Sequence, residues 1–209
     1  MSEDKDAKKT GNVLEGDTDV SAAQGNQASD DNPTGHEVKV AGDKEELAKA
    51  AKMAVKKSHD KVILVPVDFS PHSEAALAFA AQLAESLSAS LIVLHVVHDP
   101  GEMPGYYSRL VKKKRVELIP EIAKEVFDDF MKQMIGKNRN HKAIRKAQKL
   151  MVTGVPVTRI LQVAEKVGPM MLVMGSQGRT GLKHLFLGSK AEQVIQLCPL
   201  PVTIVKHKK

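Results

Sequence analysis

The chain has 209 residues, 42% of them hydrophobic, which allows one ordinary core and leaves a surplus of polar sequence. With no Trp and only 3% aromatic residues it lacks platforms for base stacking, which argues against single-stranded nucleic acid as a partner. The formal charge of +6 hides an asymmetry, because residues 1–60 carry 13 acidic and 9 basic side chains whereas residues 61–209 carry 12 and 22.

Residues 1–42 are rich in Asp, Ser, Gly, Asn and Lys and nearly devoid of large apolar side chains. Such a segment buries too little surface to offset its ordering entropy, so a disordered leader is expected. Its first ten residues are charged and lack the apolar centre of a signal peptide. No apolar stretch approaches the roughly 20 residues that span a bilayer. Together with the lone Cys198, which excludes an internal disulfide and a thiolate metal site, this predicts a cytoplasmic protein without membrane insertion. Residues 43–58 read as a short helix and linker, with Asp43 as cap and Leu47, Ala50, Ala51, Ala54 and Val55 at helical spacing.

A domain is expected over residues 59–209. It opens on VILVPV (62–67), a continuous apolar run of the kind found in strands buried on both faces. Ser70 and Pro71 then mark a helix start, a capping hydroxyl followed by proline at the first helical position. Ala75, Ala76, Phe79, Ala80, Leu83, Ala84 and Leu87 give that helix its apolar face. LIVLHVV (91–97) is a second buried strand, so the first crossover is right-handed and its strands parallel. After a Pro- and Gly-rich loop, a long helix is predicted over 116–135, with Ile119, Ile122, Ala123, Val126, Phe130 and Met134 inward. A poorer strand (146–153), a helix (157–167), a strand (170–174), a helix (190–197) and a last strand (201–205) complete the alternation. Five strands alternating with helices make an open, doubly wound parallel α/β sheet with helices on both faces.

The stretch MGSQGRTGLKHLFLGSK after the fourth strand is the most informative. It holds Gly175, Gly178, Gly181 and Gly188, and Gly188-Ser189 stands just before a helix. Glycines let a backbone approach a ligand, and a helix N-terminus offers N–H groups and partial positive charge to an anion. Ser189 adds a hydroxyl, and Arg179, Lys183 and Lys190 add charge. This is a phosphate cradle or, more plainly, a connecting surface loop. Neither GxxxxGK[ST] nor GxGxxG is present to decide between the two.

Gly175-x2-Gly178-x9-Gly188-Ser189 resembles the ATP-binding signature of the universal stress protein family. VPVDFS (65–70), LHVV (94–97), GVPVTRI (154–160) and PVTIV (201–205) resemble the family's other motifs in the same order. The resemblance covers about residues 61–206 and implies the strand order 3-2-1-4-5. It implies that Pro66, Val67 and Asp68 form the turn holding adenine and ribose, and that Val96 lines the adenine pocket. Met174 and Gly175 then lie beside ribose and phosphates, with Gly178, Gly188 and Ser189 on the phosphates and Arg179 and Lys190 as added cations. Two departures stand out: Met170 where the family often has Asp, and Lys190 where it usually has an apolar residue.

In that strand order the winding reverses between strands one and four, which puts Asp68 and Gly175 across one crevice. Taken alone, Asp68 is as readily a plain turn cap, and His95 a buried core histidine. Lys112, Lys113, Lys114 and Arg115 read as a solvated helix start. No nucleophile with a supporting base is visible, so a regulatory ATP-binding protein is expected, with at most slow hydrolysis and with Mg2+ carried by the nucleotide. The alternative is a nucleotide-independent dimeric scaffold. The resemblance also implies a homodimer through residues 201–205, and an unidentified protein partner remains open.

Overall fold

The computed structural model describes residues 39–41, 45, 46, 48, 49, 52, 61–98, 119–178 and 187–207. One parallel sheet contains β1 (Lys39–Ala41), β2 (Val62–Val67), β3 (Ser90–Val97), β4 (Gln148–Thr153), β5 (Met171–Gly175) and β6 (Val202–Val205). Its order is β1-β4-β3-β2-β5-β6. The helices are α1 (Pro71–Leu87), α2 (Ile119–Lys137), α3 (Lys142–Arg145), α4 (Pro156–Val167) and α5 (Ser189–Leu197). The five expected strands therefore stand in the order 3-2-1-4-5. The sheet carries one strand more: β1, from the polar leader segment, pairs in parallel with β4 from Lys39↔Leu150 to Ala41↔Val152. Glu45, Glu46, Ala48, Lys49 and Lys52 are helical. The basic run 112–115 lies outside the described residues.

Alternation along each strand divides the core in two. Ile63, Val65, Val67, Val93, Val97 and Val173 face α1 and α2. Val62, Leu64, Ile92, Leu94, Leu150 and Leu172 face α4 and α5. Both faces are covered, which is why the central strands read as unbroken apolar runs.

The helix faces differ from the periodicity reading. Phe79 is 40% exposed, Ile122 56% and Val126 43%; α1 buries Leu77 and Ala81 instead, and α2 buries Phe127 and Met131. In an alanine-rich helix several stripes are nearly equally apolar, so contact with the sheet decides the rotation. On α2, inserting Phe127 and Met131 removes more apolar surface from water than inserting Ile122 and Val126 would.

Polar contacts lock the connections. Ser70 caps α1, its hydroxyl accepting from the Ser73 N–H at 3.2 Å. Glu85 of α1 accepts from His141 Nδ1 at 3.0 Å and from the Ala143 N–H at 3.1 Å, pinning the start of α3. The hydrogen bond from His141, and then that from Ala143, hold the Glu85 carboxyl below the usual carboxylate range. In β4, Lys149 is 2% exposed and places Nζ 2.6 Å from Asp128 Oδ1 on α2.

Candidate functional site

Pairing between β2 and β5 is registered at Ile63↔Met171 and Leu64↔Leu172 and goes no further. β2 runs on to Val67 and β5 to Gly175, so the two strands part at their carboxyl ends. The winding also reverses here, since β3 lies on one side of β2 and β5 on the other. Parallel sheets bind ligands outside such a point.

Asp68 stands at the end of β2, with the Ser70 N–H donating to its Oδ1 at 3.2 Å. Across the crevice, a Cβ placed on Gly178 would lie 2.6 Å from Asp68 Oδ2. Carboxylate and glycine backbone thus meet, and the absence of a side chain at 178 is what lets them. Gly188 opens α5 with φ −76° and ψ 147°. Its N–H donates to the Ser176 carbonyl at 2.7 Å, closing the glycine loop at its base. That N–H is therefore engaged by the protein. The N–H groups of Ser189, Lys190 and Ala191, as first-turn donors, have no acceptor within the helix. Ser189 and Lys190 are exposed. Arg179 and Lys183 lie outside the described residues.

The glycines divide by role. Among the described glycines only Gly154 and Gly168 have positive φ, so close approach rather than left-handed backbone explains Gly175 and Gly178, whereas a Cβ at Gly188 would make only ordinary contacts. At Gly175 the approach is internal: a Cβ there would lie 2.7 Å from His72 C and 2.9 Å from His72 O, against the first turn of α1.

Pro66, Val96 and Met174 sit near the carboxyl ends of three adjacent strands and share the α4/α5 face. They form an apolar floor beside Asp68. Val67 does not join them; its side chain is buried in the α1/α2 core, and only its backbone borders the crevice.

Residues that no local pattern marked complete the surroundings. His72 Nδ1 lies 3.1 Å from Ser176 Oγ and accepts a long 3.4 Å contact from the His207 N–H. Phe69 adopts φ 63° and stacks on His95. Positive φ in a phenylalanine leaves no trace in sequence, although the residue beside a candidate site aspartate was the place to look. Among the described residues there is no group of three or more His, Cys, Asp or Glu able to hold a metal. A groove of about 560 Å3 runs along α4, walled by Val157, Leu161, Pro199 and Leu200 with half-buried Cys198. Its one charged wall residue is Glu165, so it offers no phosphate chemistry.

An apolar strand face, a carboxylate and a helix N-terminus meeting at the switch point of a doubly wound parallel sheet mark a candidate ligand crevice in an α/β protein. Residues 60–206 match the model of the universal stress protein family. The chain is 34% identical over 149 residues to universal stress protein MJ0531 of Methanocaldococcus jannaschii, across 71% of this chain and 84% of that one. It is 35% identical over 147 residues to universal stress protein YxiE of Bacillus subtilis, across 69% and 97%. The solved structure of MJ0577, also from M. jannaschii, superposes with a TM-score of 0.54 and 29% identity, covering 71% of this chain and 97% of that one. Universal stress protein UspA from Lactobacillus plantarum shares the fold at a TM-score of 0.57 and 24% identity, covering 69% and 97%. The chain belongs to the universal stress protein family.

Proposed function

We propose that the protein binds ATP in the crevice between β2 and β5 and acts as a regulatory binding protein in the cytoplasm. The observation that carries this reading is the approach of Gly178 to the Asp68 carboxylate, a cradle that any Cβ would fill. Pro66, Val96 and Met174 would hold adenine, and Asp68 would accept from a ribose hydroxyl. The first-turn N–H groups of α5, with the Ser189 hydroxyl and Lys190, would receive the phosphates. Mg2+ would arrive with the nucleotide. No catalytic residue is assigned, and at most slow hydrolysis is expected. No helix among the described residues is long and apolar enough to cross a membrane.

Calorimetric titration tests this directly. Wild-type protein should bind ATP, and Asp68→Ala should bind it about ten- to a hundredfold more weakly, the cost of losing a hydrogen bond to a charged acceptor. An absence of ATP binding at millimolar concentration would remove the proposal.

The same reading extends to a homodimer through residues 201–205. β6 is an edge strand with four half-buried residues, and an uncovered edge recruits another strand. The Leu172 and Ser176 N–H groups donate to the carbonyls of Pro201 and Val205. By the two-residue period, Thr203 also bonds inward to β5, leaving the backbone of Val202 and Ile204 on the open edge. Ile204→Pro should therefore shift a dimer towards monomer, whereas Thr203→Pro should damage the sheet itself. Light scattering at micromolar concentration, with circular dichroism for the fold, reads both. A wild-type mass of one chain excludes this assembly. A dimer indifferent to ATP would be the nucleotide-independent scaffold instead.

A further inference from the structure

Phe69 is held where a phenylalanine is not at ease. Its φ of 63° lies in the left-handed region, which a non-glycine residue keeps only where the surroundings enforce it. What enforces it here is His95 of β3. The two rings stack with centroids 4.2 Å apart and planes 29° from parallel. Phe130 at 5.2 Å and Phe127 at 5.9 Å, both on α2, close around the Phe69 ring. The same imidazole holds the other side of the turn, with Nδ1 2.9 Å from the Val67 carbonyl. A carbonyl only accepts, so Nδ1 carries the hydrogen. His95 is also the register partner of Val67.

One side chain thus grips both neighbours of Asp68, the carbonyl before it and the ring after it. Asp68 itself is turned towards Gly178, with the Ser70 N–H on its Oδ1. Its direction follows from the backbone on either side, and that backbone is set from the opposite face of the sheet, where the Val67 side chain is buried.

We propose that His95, with Phe69 stacked on it, is the positioning residue of the nucleotide site: it aims the Asp68 carboxylate at the ribose hydroxyls without touching the ligand. The assignment rests on the reading of Asp68 given above. It raises a prediction about selectivity. A rigidly aimed carboxylate distinguishes ATP from 2′-deoxy-ATP, and a loosened one does so less.

The test titrates ATP and 2′-deoxy-ATP into wild type, His95→Phe, His95→Asn, Phe69→Gly and Asp68→Ala, with a thermal melt of each. Phenylalanine at 95 keeps the stack and loses the bond to Val67. ATP affinity should fall about tenfold, the worth of one hydrogen bond, and the preference for ATP over its deoxy analogue should shrink. Asparagine carries a donor near the place of Nδ1 and should restore most of that preference. Phe69→Gly accepts φ 63° freely while removing the ring, so it too should lower the preference. It serves as the second variant where His95→Phe fails to fold. A role in packing alone would move the melt and leave the ratio of the two affinities unchanged; that outcome, or asparagine no better than phenylalanine, overturns the proposal. Asp68→Ala separates the two levels. If it abolishes the preference and the His95 and Phe69 variants do not, His95 has no positioning role and the site stands. If Asp68→Ala leaves the preference intact, the ribose reading of Asp68 fails and this inference fails with it.

Discussion

Asp128→Ala is expected to destabilise the protein by about 3 kcal/mol, the usual cost of stripping one member from a buried ion pair. The Lys149 side chain is 1% exposed and Asp128 27%, with 2.6 Å between Nζ and Oδ1. Removing the carboxylate takes away the charge that sits 2.6 Å from the buried Lys149 ammonium. The reverse change is milder. Lys149→Met fills the same space with an apolar chain, and the partly exposed Asp128 carboxylate can turn to solvent, so about 1 kcal/mol is expected. Combining Lys149→Met with Asp128→Leu should recover most of the loss, since neither charge is then stranded. Urea denaturation measures all three, with changes in midpoint at constant slope. Equal, small losses for Asp128→Ala and Lys149→Met would show that the pair is solvated in solution.

That ion pair also marks where sequence reading stops. VILVPV and LIVLHVV were legible as central strands because both faces are covered and His95 alone interrupts the apolar runs. The switch point was legible through the family resemblance, which implied the strand order, and the glycine spacing points to the same end of the sheet. Lys149 was not legible, since its partner is 21 residues away on a helix, and a lysine alone in a strand is read as solvent-facing. Phe69 was hidden because nothing in its identity announces a left-handed φ. β1 was hidden because a three-residue edge strand, Lys-Val-Ala, barely alters a polar composition. Gly175 was assigned to a ligand, whereas its missing Cβ makes room first for the backbone of His72. Glycine is chosen wherever backbone comes close to something, and sequence does not say to what.

The three glycines should therefore part company when each is replaced. Gly175→Ala puts a Cβ 2.7 Å from a backbone carbon of α1 that cannot turn aside, so β5 or the helix must shift. Overpacking of this kind costs about 1–3 kcal/mol, several degrees in melting temperature. Among the described residues a Cβ at Gly178 meets only the end of the Asp68 side chain, which can swing away, so Gly178→Val should leave the fold within about 0.5 kcal/mol. The displaced carboxylate and the new side chain would then occupy the crevice, and ATP affinity should fall at least a hundredfold. Gly188→Val is the cleanest of the three. Its φ of −76° suits any residue, and its Cβ would rest 3.4 Å from Gln177 Cα and the Ser176 carbonyl, an ordinary contact. Among the described residues nothing clashes with that Cβ, and the fold loses only the advantage of glycine over valine at an N-cap. A loss of ATP binding at 188 with an unchanged melt can come only from the ligand side, where the added chain shields the first-turn N–H groups of α5. Melting curves recorded without nucleotide, set beside calorimetric titrations with ATP, give the two quantities independently. Wild-type ATP affinity in Gly188→Val would mean that the phosphates do not lie on this loop, whatever binds in the crevice beside it.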